Sequence, residues 1–460
     1  MRLLNYTDGW TRRHFMAQVA KGITAAGVLA PLWDVIGRSG DVAAAYPPEL
    51  LSLSEYTKGK LKAGDVLSAE NVDIVKELLD PFTYRQVKED GRLVDLIETT
   101  TDINQLNPPE YLAATLRNKG KAKLGSDGNV WTTDGKPWIG GNPFPEPNSA
   151  LEVLMGHTLS WGRHDVSFYP IEEWDMDHEG NGRYHYQYLF IEYMPVERLV
   201  LEPKPYLPGH ENQLRLNTIY LTYPSDLAST GYLNIWPYDQ TKFPTFYAYL
   251  PSFERVRTFP TDQRFEPLWP GSNFFLTDAW MTGDPVLTWG NFKLVGKGPL
   301  IQAVSHNWDP ENPNWHHKRC GGKSGEKYFR VRMELIPETY AVDLEPVKYP
   351  RSPYSRKRIW FDARTLTPLT MCSYDRQGKL WKQWEGGFSL YKTANHQWPE
   401  SGAPYWSWTH VHNEDAQSGT MTILQQCEHI FGGYDVSVNN PRVLDDWCSS
   451  VALRRHGASV

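Results

Sequence analysis

Alternation of apolar and polar positions runs through the second half of the chain and predicts β-strands. After the turn-forming residues Glu179–Gly182, an extended segment from 183 to 194 carries aromatic side chains at every second position, namely Tyr184, Tyr186, Tyr188 and Phe190. Further strands are predicted at 214–223, 232–238, 243–250 and 329–335. Because the turns between these segments are short, the pattern favours an antiparallel sheet over strand–helix–strand units.

Two segments of the second half are predicted to form hairpins. The first crosses a tight corner at Pro251 and ends in alternating arginines at Arg257. The second begins at Lys357, bends at Asp362–Thr365 and turns again at Asp375–Gly378. Repeated hairpins of this kind are typical of a curved sheet, which suggests a container rather than a catalyst.

Helices are predicted mainly in the early part of the chain. Ser68 is a suitable N-cap for a helix that reaches Leu79, and Pro109 opens a second helix that ends at Gly120. A third helix is predicted from an N-cap at Asn148 through Met155. Because this third helix is apolar on nearly all sides, we expect it to be buried, against the concave face of the sheet.

The hairpin segments resemble a known family of bacterial envelope proteins. The residues that carry the resemblance are Tyr247, Tyr249-Leu250-Pro251, Arg255, Arg257, Ser272–Asp278, Ile359–Asp362, Leu366–Leu369 and Tyr374–Gly378. They are similar to the pattern of outer-membrane lipoprotein-sorting proteins, and the chain is identified as a divergent member of the DUF 1329 family within the LolA/LolB-like superfamily. The resemblance covers roughly residues 150–383, whereas residues 46–147 depart from the usual opening of the family.

The resemblance implies a mainly β fold with a few helices, of the α+β class. It would be a LolA/LolB-like curved antiparallel half-barrel sheet wrapped around helices, with a hydrophobic interior. We therefore expect residues 148–460 to form the antiparallel β domain. Residues 46–147 are expected to form a divergent N-terminal segment with two helices and hairpins.

Residues 1–45 have the features of a signal peptide of the twin-arginine type. The Arg12-Arg13 pair is followed by an apolar run, Ile23–Ile36, and by small residues at 42–45 that offer a cleavage site before Tyr46. The apolar run is shorter than the ~20 residues that a spanning helix needs. We expect export and a soluble periplasmic protein, with the outer membrane as a candidate place of association.

Charge and composition narrow the class of partner. The leader holds five basic and three acidic residues, so its removal changes the formal charge from −7 to −9. An acidic chain has no general electrostatic attraction to nucleic acid, and we expect no nucleic-acid partner. Aromatic residues form 13% of the chain, which favours a β-rich protein.

The aromatic surplus also suggests a cavity for an apolar ligand, although core packing accounts for many aromatic side chains. Candidates were chosen by alternation and by position on the hairpin segments. They are Met155, Tyr247, Tyr249, Phe274, Phe275, Trp280 and Trp360. No cofactor is expected.

The chain has four cysteines, Cys320, Cys372, Cys427 and Cys448. An even number in an oxidising compartment predicts disulfides, of which three connectivities are possible. The short separation favours Cys427–Cys448, which leaves Cys320–Cys372. A four-thiolate zinc site is disfavoured, because the chain contains no Cys-x-x-Cys pair.

No catalytic residue is predicted, and the sequence contains no Gly-x-Ser-x-Gly motif. His410 and His412 are weak candidates for metal binding, because alternation places both imidazoles on one face of a strand. Trp406 and Trp408 are expected on that same face, and an aromatic row beside histidines is common in sheets.

The resemblance implies a periplasmic carrier or accessory protein for a lipid or another hydrophobic molecule, without catalysis. It also implies partners: a transporter of the resistance–nodulation–division (RND) type and an outer-membrane barrel protein. Two alternatives stay open. One is an exported metal-dependent or hydrolytic enzyme built around His410 and His412, and the other is a carbohydrate-binding β protein of the envelope.

Overall fold

The computed structural model describes residues 31–457 except 162, 262, 263 and 284. The twin-arginine motif at 11–16 lies outside these residues. The largest element of the described structure is one open sheet, with helices packed on both faces. The expected class, mainly β with one large antiparallel sheet and a few helices, is confirmed.

The described strands are β1 (Val66–Leu67), β2 (Val94–Leu96), β3 (Ala122–Leu124), β4 (Val130–Thr132), β5 (Val166–Met176), β6 (Gly182–Tyr193), β7 (Gln213–Tyr223), β8 (Gly231–Pro237), β9 (Thr245–Leu250), β10 (Arg255–Phe259), β11 (Gly290–Gln302), β12 (Arg319–Cys320), β13 (Tyr328–Phe329), β14 (Val331–Glu345), β15 (Tyr354–Asp362), β16 (Pro368–Asp375), β17 (Leu380–Leu390), β18 (Trp406–Glu414), β19 (Met421–Gln426), β20 (His429–Ile430), β21 (Tyr434–Asp435) and β22 (Ser437–Val438). The described α-helices are α1 (Leu32–Ser39), α2 (Pro48–Leu51), α3 (Leu53–Thr57), α4 (Pro81–Glu89), α5 (Pro109–Asn118), α6 (Ala150–Thr158), α7 (Val443–Trp447) and α8 (Ser450–Gly457).

The large sheet runs in the order β1-β2-β14-β15-β16-β17-β18-β19-β5-β6-β7-β8-β9-β10, with β11 paired to β14 and β22 paired to β5. Its pairs are antiparallel except β2 with β14, which are parallel. Both predicted hairpins are confirmed: β9 with β10, and β15 through β17. The first and second halves of the chain meet where β19 pairs with β5.

Alternation gives the central strands two distinct faces. We call the face that bears Tyr169 and Ile171 of β5 the inner face, and the face that bears Glu172 and Trp174 the outer face. Helix α6 packs against β11 and β14 with its apolar residues buried, as its sequence predicted. Its N-cap is Ser149, whose hydroxyl accepts the backbone N–H of Glu152.

The other early helices agree with the prediction only in part. Helix α5 follows Pro109 as expected, but the segment predicted as a helix from Ser68 forms only a 3₁₀ turn, Val72–Leu78, with a kink at Val75. Two β-branched valines in this short segment weaken a regular helix. Helix α4 was missed, although Asp80 caps it and Pro81 occupies its first turn.

Residues 31–147 are built into the body of the protein. Trp33 and Ile36 of α1 are buried in the same hydrophobic cluster as α6 and β14–β16. Residues between Leu53 and Leu96 form a second cluster with β14 and β19. Part of the segment assigned to the leader, residues 32–45, therefore packs into the core.

A buried ion pair joins the N-terminal segment to the outer face of the sheet. The Arg92 guanidinium donates to both carboxylate oxygens of Glu385 at 2.6 and 2.7 Å, and both side chains are fully buried. Thr83 of α4 donates to the same carboxylate at 3.0 Å. The attraction between the two charges offsets the free energy of their desolvation only while both partners are present.

The predicted disulfides are wrong for this structure, because all four cysteines are free and buried. Cys320 contacts the backbone of Leu93, Cys372 lies on the internal strand β16, and Cys448 ends α7. Cys427 follows β19 and faces the Glu172 carboxylate. The prediction of disulfides rested only on the even number of cysteines. In the fold, each of the four thiols lies against groups other than a second cysteine.

We expect Arg92→Met to lower the free energy of unfolding by about 3–5 kcal/mol, because it leaves the Glu385 carboxylate buried without its partner. Urea unfolding followed by tryptophan fluorescence measures the change. Arg183→Met is the control, since Arg183 is exposed and its ion pair with Asp177 spans 3.8 Å. Equal effects of the two substitutions would contradict the assigned role of Arg92.

Candidate functional site

An apolar cavity lies between the inner face of the sheet and a loop that crosses it. The loop connects β10 to β11, and we call its residues 268–281 the lid. The space that the cavity offers to the centre of a water-sized sphere is about 100 Å³. It is lined by Trp161, Tyr169, Ile171, Tyr188, Phe190, Glu192, Asn217, Ile219, Asn234, Trp236, Leu268, Trp269, Phe274, Phe275, Leu276, Ala279, Trp280, Met281, Pro368, Trp384, Gly386, Phe388, Trp408, Val411 and Leu424.

The floor of the cavity follows from strand alternation. Alternate residues of β5 and β6 point inward, as do Trp384 and Phe388 of β17 and Leu424 of β19. These side chains are large and mostly aromatic, and large rigid rings leave gaps where they meet across a curved sheet. Sites for small apolar ligands are lined in the same way, by hydrophobic and aromatic side chains with a few polar groups.

Hydrogen bonds at the edges of the lid hold it over the sheet. The indole N–H of Trp269 donates to Glu173 at 2.8 Å, and that of Trp280 donates to Glu192 at 2.7 Å. Between them, the backbone N–H of Asn273 donates to the Thr422 hydroxyl at 2.9 Å. The lid is therefore fixed by polar contacts along its length, including a buried ion pair of Asp278 with Lys357 at 2.9 Å, while several of its apolar side chains face the cavity.

Trp280 and Met281 adopt left-handed backbone conformations, with φ of 54° and 64°. Bulky residues rarely take such values, and two in succession store strain that the surroundings must hold. His157 of α6 contacts the Trp280 carbonyl oxygen through its Nε2 atom at 3.1 Å, and the Arg215 guanidinium lies 4.4 Å from the Trp280 ring centroid. This end of the lid is thus held in a strained conformation.

Polar groups are concentrated at one end of the cavity. Glu192 accepts the indole N–H groups of Trp161 and Trp280, and Asn217 donates to the Ile191 carbonyl oxygen at 3.1 Å. Asn234 lies beside Asn217. The cavity therefore has a long apolar wall and a short polar end.

The residues proposed to line a cavity fall into two groups. Phe274, Phe275 and Trp280 belong to the lid and line the cavity. The other four lie elsewhere, Met155 and Trp360 in the core cluster around α6, and Tyr247 and Tyr249 in the cluster under α8.

His410 and His412 lie on the outer face, and the expectation that they share a face with Trp408 is wrong. Phe388 pairs with Trp408 while the preceding Gly387 pairs with His410, so one extra residue forms a β-bulge in β18. Trp408 consequently points into the cavity and the histidines point away from it. Gly387 leaves room for the His410 ring, whose Cε1 atom would lie 1.9 Å from an added Cβ.

The surroundings of His412 indicate a structural role. Its Nε2 atom accepts the backbone N–H of Phe329 at 2.9 Å, and its Nδ1 atom lies 3.4 Å from Glu385. Burial and the nearby Arg92 lower the pKa of His412 to about 4, which keeps the ring neutral. Although Glu385, His410 and His412 could hold a metal ion together, the Arg92 guanidinium already neutralises their carboxylate.

Sequence reasoning missed most of the floor of the cavity. The strong aromatic alternation of β6 was recognised, but β5, β17 and β19 were not assigned to the cavity. Ile171 and Leu424 become neighbours only because β19 pairs with β5. Alternation within each segment was the available sign, and it does not tell which face of a strand is enclosed.

The family comparison establishes where this chain belongs. The model of the DUF1329 family, a family of proteins of unknown function, matches residues 66–449. The chain is a member of the DUF1329 family. Among curated proteins, none matches it.

Solved structures with related folds are distant in sequence. An outer membrane lipoprotein-sorting protein domain from Vibrio parahaemolyticus is 15% identical, with a TM-score of 0.40 over 63% of this chain and 92% of that one. A DUF1329 family protein from Desulfovibrio piger is 14% identical, with a TM-score of 0.41 over 64% and 95%. A LolA superfamily protein from Nitrosomonas europaea is 11% identical, with a TM-score of 0.35 over 65% and 97%. None of the helices in the described part of this chain has the length and apolar character that a membrane span requires.

Two buried carboxyl groups lie at the edge of the lid. Glu173 accepts hydrogen bonds from Trp269 and from the Tyr188 hydroxyl, while Asp175 accepts one from Thr422. Burial raises the pKa of Asp175 to about 7, and burial together with the neighbouring Asp175 raises the pKa of Glu173 well above its usual value. Both groups therefore favour the protonated form in the folded protein.

We expect Asp175→Asn to remove part of the loss of stability between pH 4 and pH 7. The folded protein retains the Asp175 proton above the ordinary aspartate pKa of about 3.9, so this group stabilises the fold at low pH and less as the pH rises toward 7. Thermal unfolding at pH 4, 6 and 8 checks this, and the variant should gain relative stability only at the higher values. Asp226→Asn, at an exposed carboxyl, is the control, and identical pH profiles for Asp175→Asn and the unsubstituted protein would contradict the assignment.

Proposed function

We propose that this chain binds and carries a lipid or another hydrophobic molecule and performs no catalysis. The observation that carries the proposal is the apolar cavity between the sheet and the lid. Each methylene group removed from water contributes about 0.8 kcal/mol, so an apolar molecule gains free energy by leaving water for this space. The cavity is lined entirely by residues of this chain, so one molecule of the protein can enclose an apolar ligand.

The polar end of the cavity gives the ligand an orientation. An amphipathic molecule would place its chain along Ile171, Phe388 and Val411 and its polar group beside Asn217 and Asn234. Amide side chains both donate and accept hydrogen bonds, so they suit a hydroxyl, ester or carboxyl group. This arrangement favours a ligand with one polar end over a uniformly apolar hydrocarbon.

The polar groups at the cavity favour binding over chemistry. Glu192 is held by two indole N–H groups, and Glu173 is held by an indole and a phenol. They position the lid, which must move if a ligand is to enter and leave.

The proposed setting is the periplasm, reached through the twin-arginine leader. Membership of the DUF1329 family and the resemblance to lipoprotein-sorting proteins support a role in envelope transport. In this role the protein would receive its ligand from, or deliver it to, a transporter of the RND type and an outer-membrane barrel protein.

We expect Val411→Trp to weaken binding of the fluorescent fatty acid cis-parinaric acid by at least about tenfold, which corresponds to about 1.4 kcal/mol. The larger side chain occupies the space that the ligand needs. Fluorescence titration of detergent-free protein measures the affinity. Val451→Trp is the matched control, because Val451 is 75% exposed on α8 and is not among the residues that line the cavity.

Native mass spectrometry of protein purified from the periplasm provides the direct test. A lipid-sized mass that is released on denaturation and is absent from Val411→Trp supports the carrier. If the protein carries no such mass and both variants bind the probe equally, the proposal fails. Glycan binding by delipidated protein would then favour the carbohydrate-binding alternative.

A further inference from the structure

A second set of chemically active side chains lies on the outer face of the sheet, away from the cavity. Glu172 projects from β5, Cys427 follows β19, and His316 is carried by the loop that precedes β12. Three separate segments of the chain thus bring a carboxylate, a thiol and an imidazole to one place. The described contacts of the cavity and the lid do not involve these groups.

The distances suit a single metal ion. The Nε2 atom of His316 lies 2.7 Å from Glu172 Oε2, and the Cys427 sulfur lies 3.8 Å from the same oxygen. One ligand atom from each residue falls within 4.8 Å of the others. Neighbouring ligands of a tetrahedral zinc ion, with bonds of about 2.0–2.3 Å, stand about 3.3–3.8 Å apart, so only small side-chain movements are needed.

His185 supports the set from the adjacent strand β6. Its Nε2 atom lies 2.6 Å from Glu172 Oε1, the oxygen that the other two residues do not use. The His185 ring stacks on Trp174, with a centroid distance of 5.4 Å and an interplanar angle of 5°. A carboxylate held in this way by a packed neighbour is pre-oriented as a ligand.

An ion could reach this set from solvent. The side chains of His316 and His185 are 43% and 35% exposed, whereas Glu172 and Cys427 are buried behind them. The cluster of Glu385, His410 and His412 differs in both respects, because it is fully buried and its carboxylate is paired with Arg92. Of these two sets, only the one around Glu172 is open and lacks an arginine bonded to its carboxylate.

We propose that Glu172, His316 and Cys427 bind one Zn²⁺ ion, with His185 as a positioning residue and the fourth position open to solvent. Nitrogen and sulfur donors select zinc over Mg²⁺ and Ca²⁺, which prefer oxygen ligands. Binding exchanges the thiol proton of Cys427 for the metal, and the proton passes to solvent. The ion fixes the loop of His316 to β5 and to the segment after β19, on the reverse side of strands that line the cavity.

The test is zinc titration of the full mature chain after treatment with a chelator. We expect one Zn²⁺ per chain by calorimetry and by elemental analysis, together with a rise in Tm in Zn²⁺ but not in Mg²⁺ or Ca²⁺. Cys427→Ser and His316→Gln should abolish the stoichiometric binding. His185→Gln should weaken it by about 10–100-fold, as expected for a residue that orients a ligand.

Two further variants keep the test specific. Cys448→Ser removes another buried thiol that lies outside the site, and it should bind zinc like the unsubstituted protein. Loss of binding in His410→Gln but not in Cys427→Ser would assign the ion to the other cluster and overturn the proposal. Failure of the chelated protein to take up stoichiometric zinc, in a sample whose circular dichroism is native, would overturn it as well. Neither result bears on the binding of cis-parinaric acid, so the cavity and the metal site are tested independently.

Discussion

The ion pair between Arg92 and Glu385 fixes the N-terminal segment to the outer face of the sheet. It lies at zero exposure between the N-terminal segment and β17, and it is extended by contacts to Thr83 and His412. Removing either charge would leave the other buried and unpaired, so the segment cannot leave the outer face at low cost. The part of that face around β17 is therefore permanently covered.

The inner face is covered in a different way. Over the strands that line the cavity it meets the lid, which is bonded to the sheet at Trp269, Asp278 and Trp280 and whose aromatic side chains do not fill the space beneath them. Trp280 and Met281 hold strained backbone conformations in this covering segment. The sheet is thus covered by the N-terminal segment on one face and, on the other, by a lid with a cavity beneath it.

The sequence predicted the strands and hairpins because their signals are local. The alternation in β6, the turns at 362–365 and 375–378 and the proline opening of α5 each depend on a few neighbouring residues. Tyr247 and Tyr249 show the limit of this information: alternation places them on one face, but only the position of α8 decides that this face is not the cavity. The β-bulge next to His410 shows the same limit, since one extra residue reverses the face toward which every side chain beyond it points.

The cavity and the cysteines required information from distant parts of the chain. Ile171 and Leu424 line one wall because β5 and β19 are neighbours, and no local pattern specifies that pairing. Cys427 faces Glu172 for the same reason. The rule that predicts disulfides counts cysteines in an oxidising compartment, and it does not consider where each thiol lies in the fold.

The pairing of β5 with β19, which we call the seam of the sheet, also affects when the sheet can form during synthesis of the chain. Strand β5 occurs early in the sequence and β19 near its end, so the two halves of the sheet join only after almost all residues have been synthesised. Until then the edge of β5 presents unpaired backbone groups to any other extended chain. A chain that folds before it crosses a membrane closes this seam in the compartment where it is synthesised. A chain threaded across unfolded would form this seam only in the envelope, beside other newly arrived polypeptides.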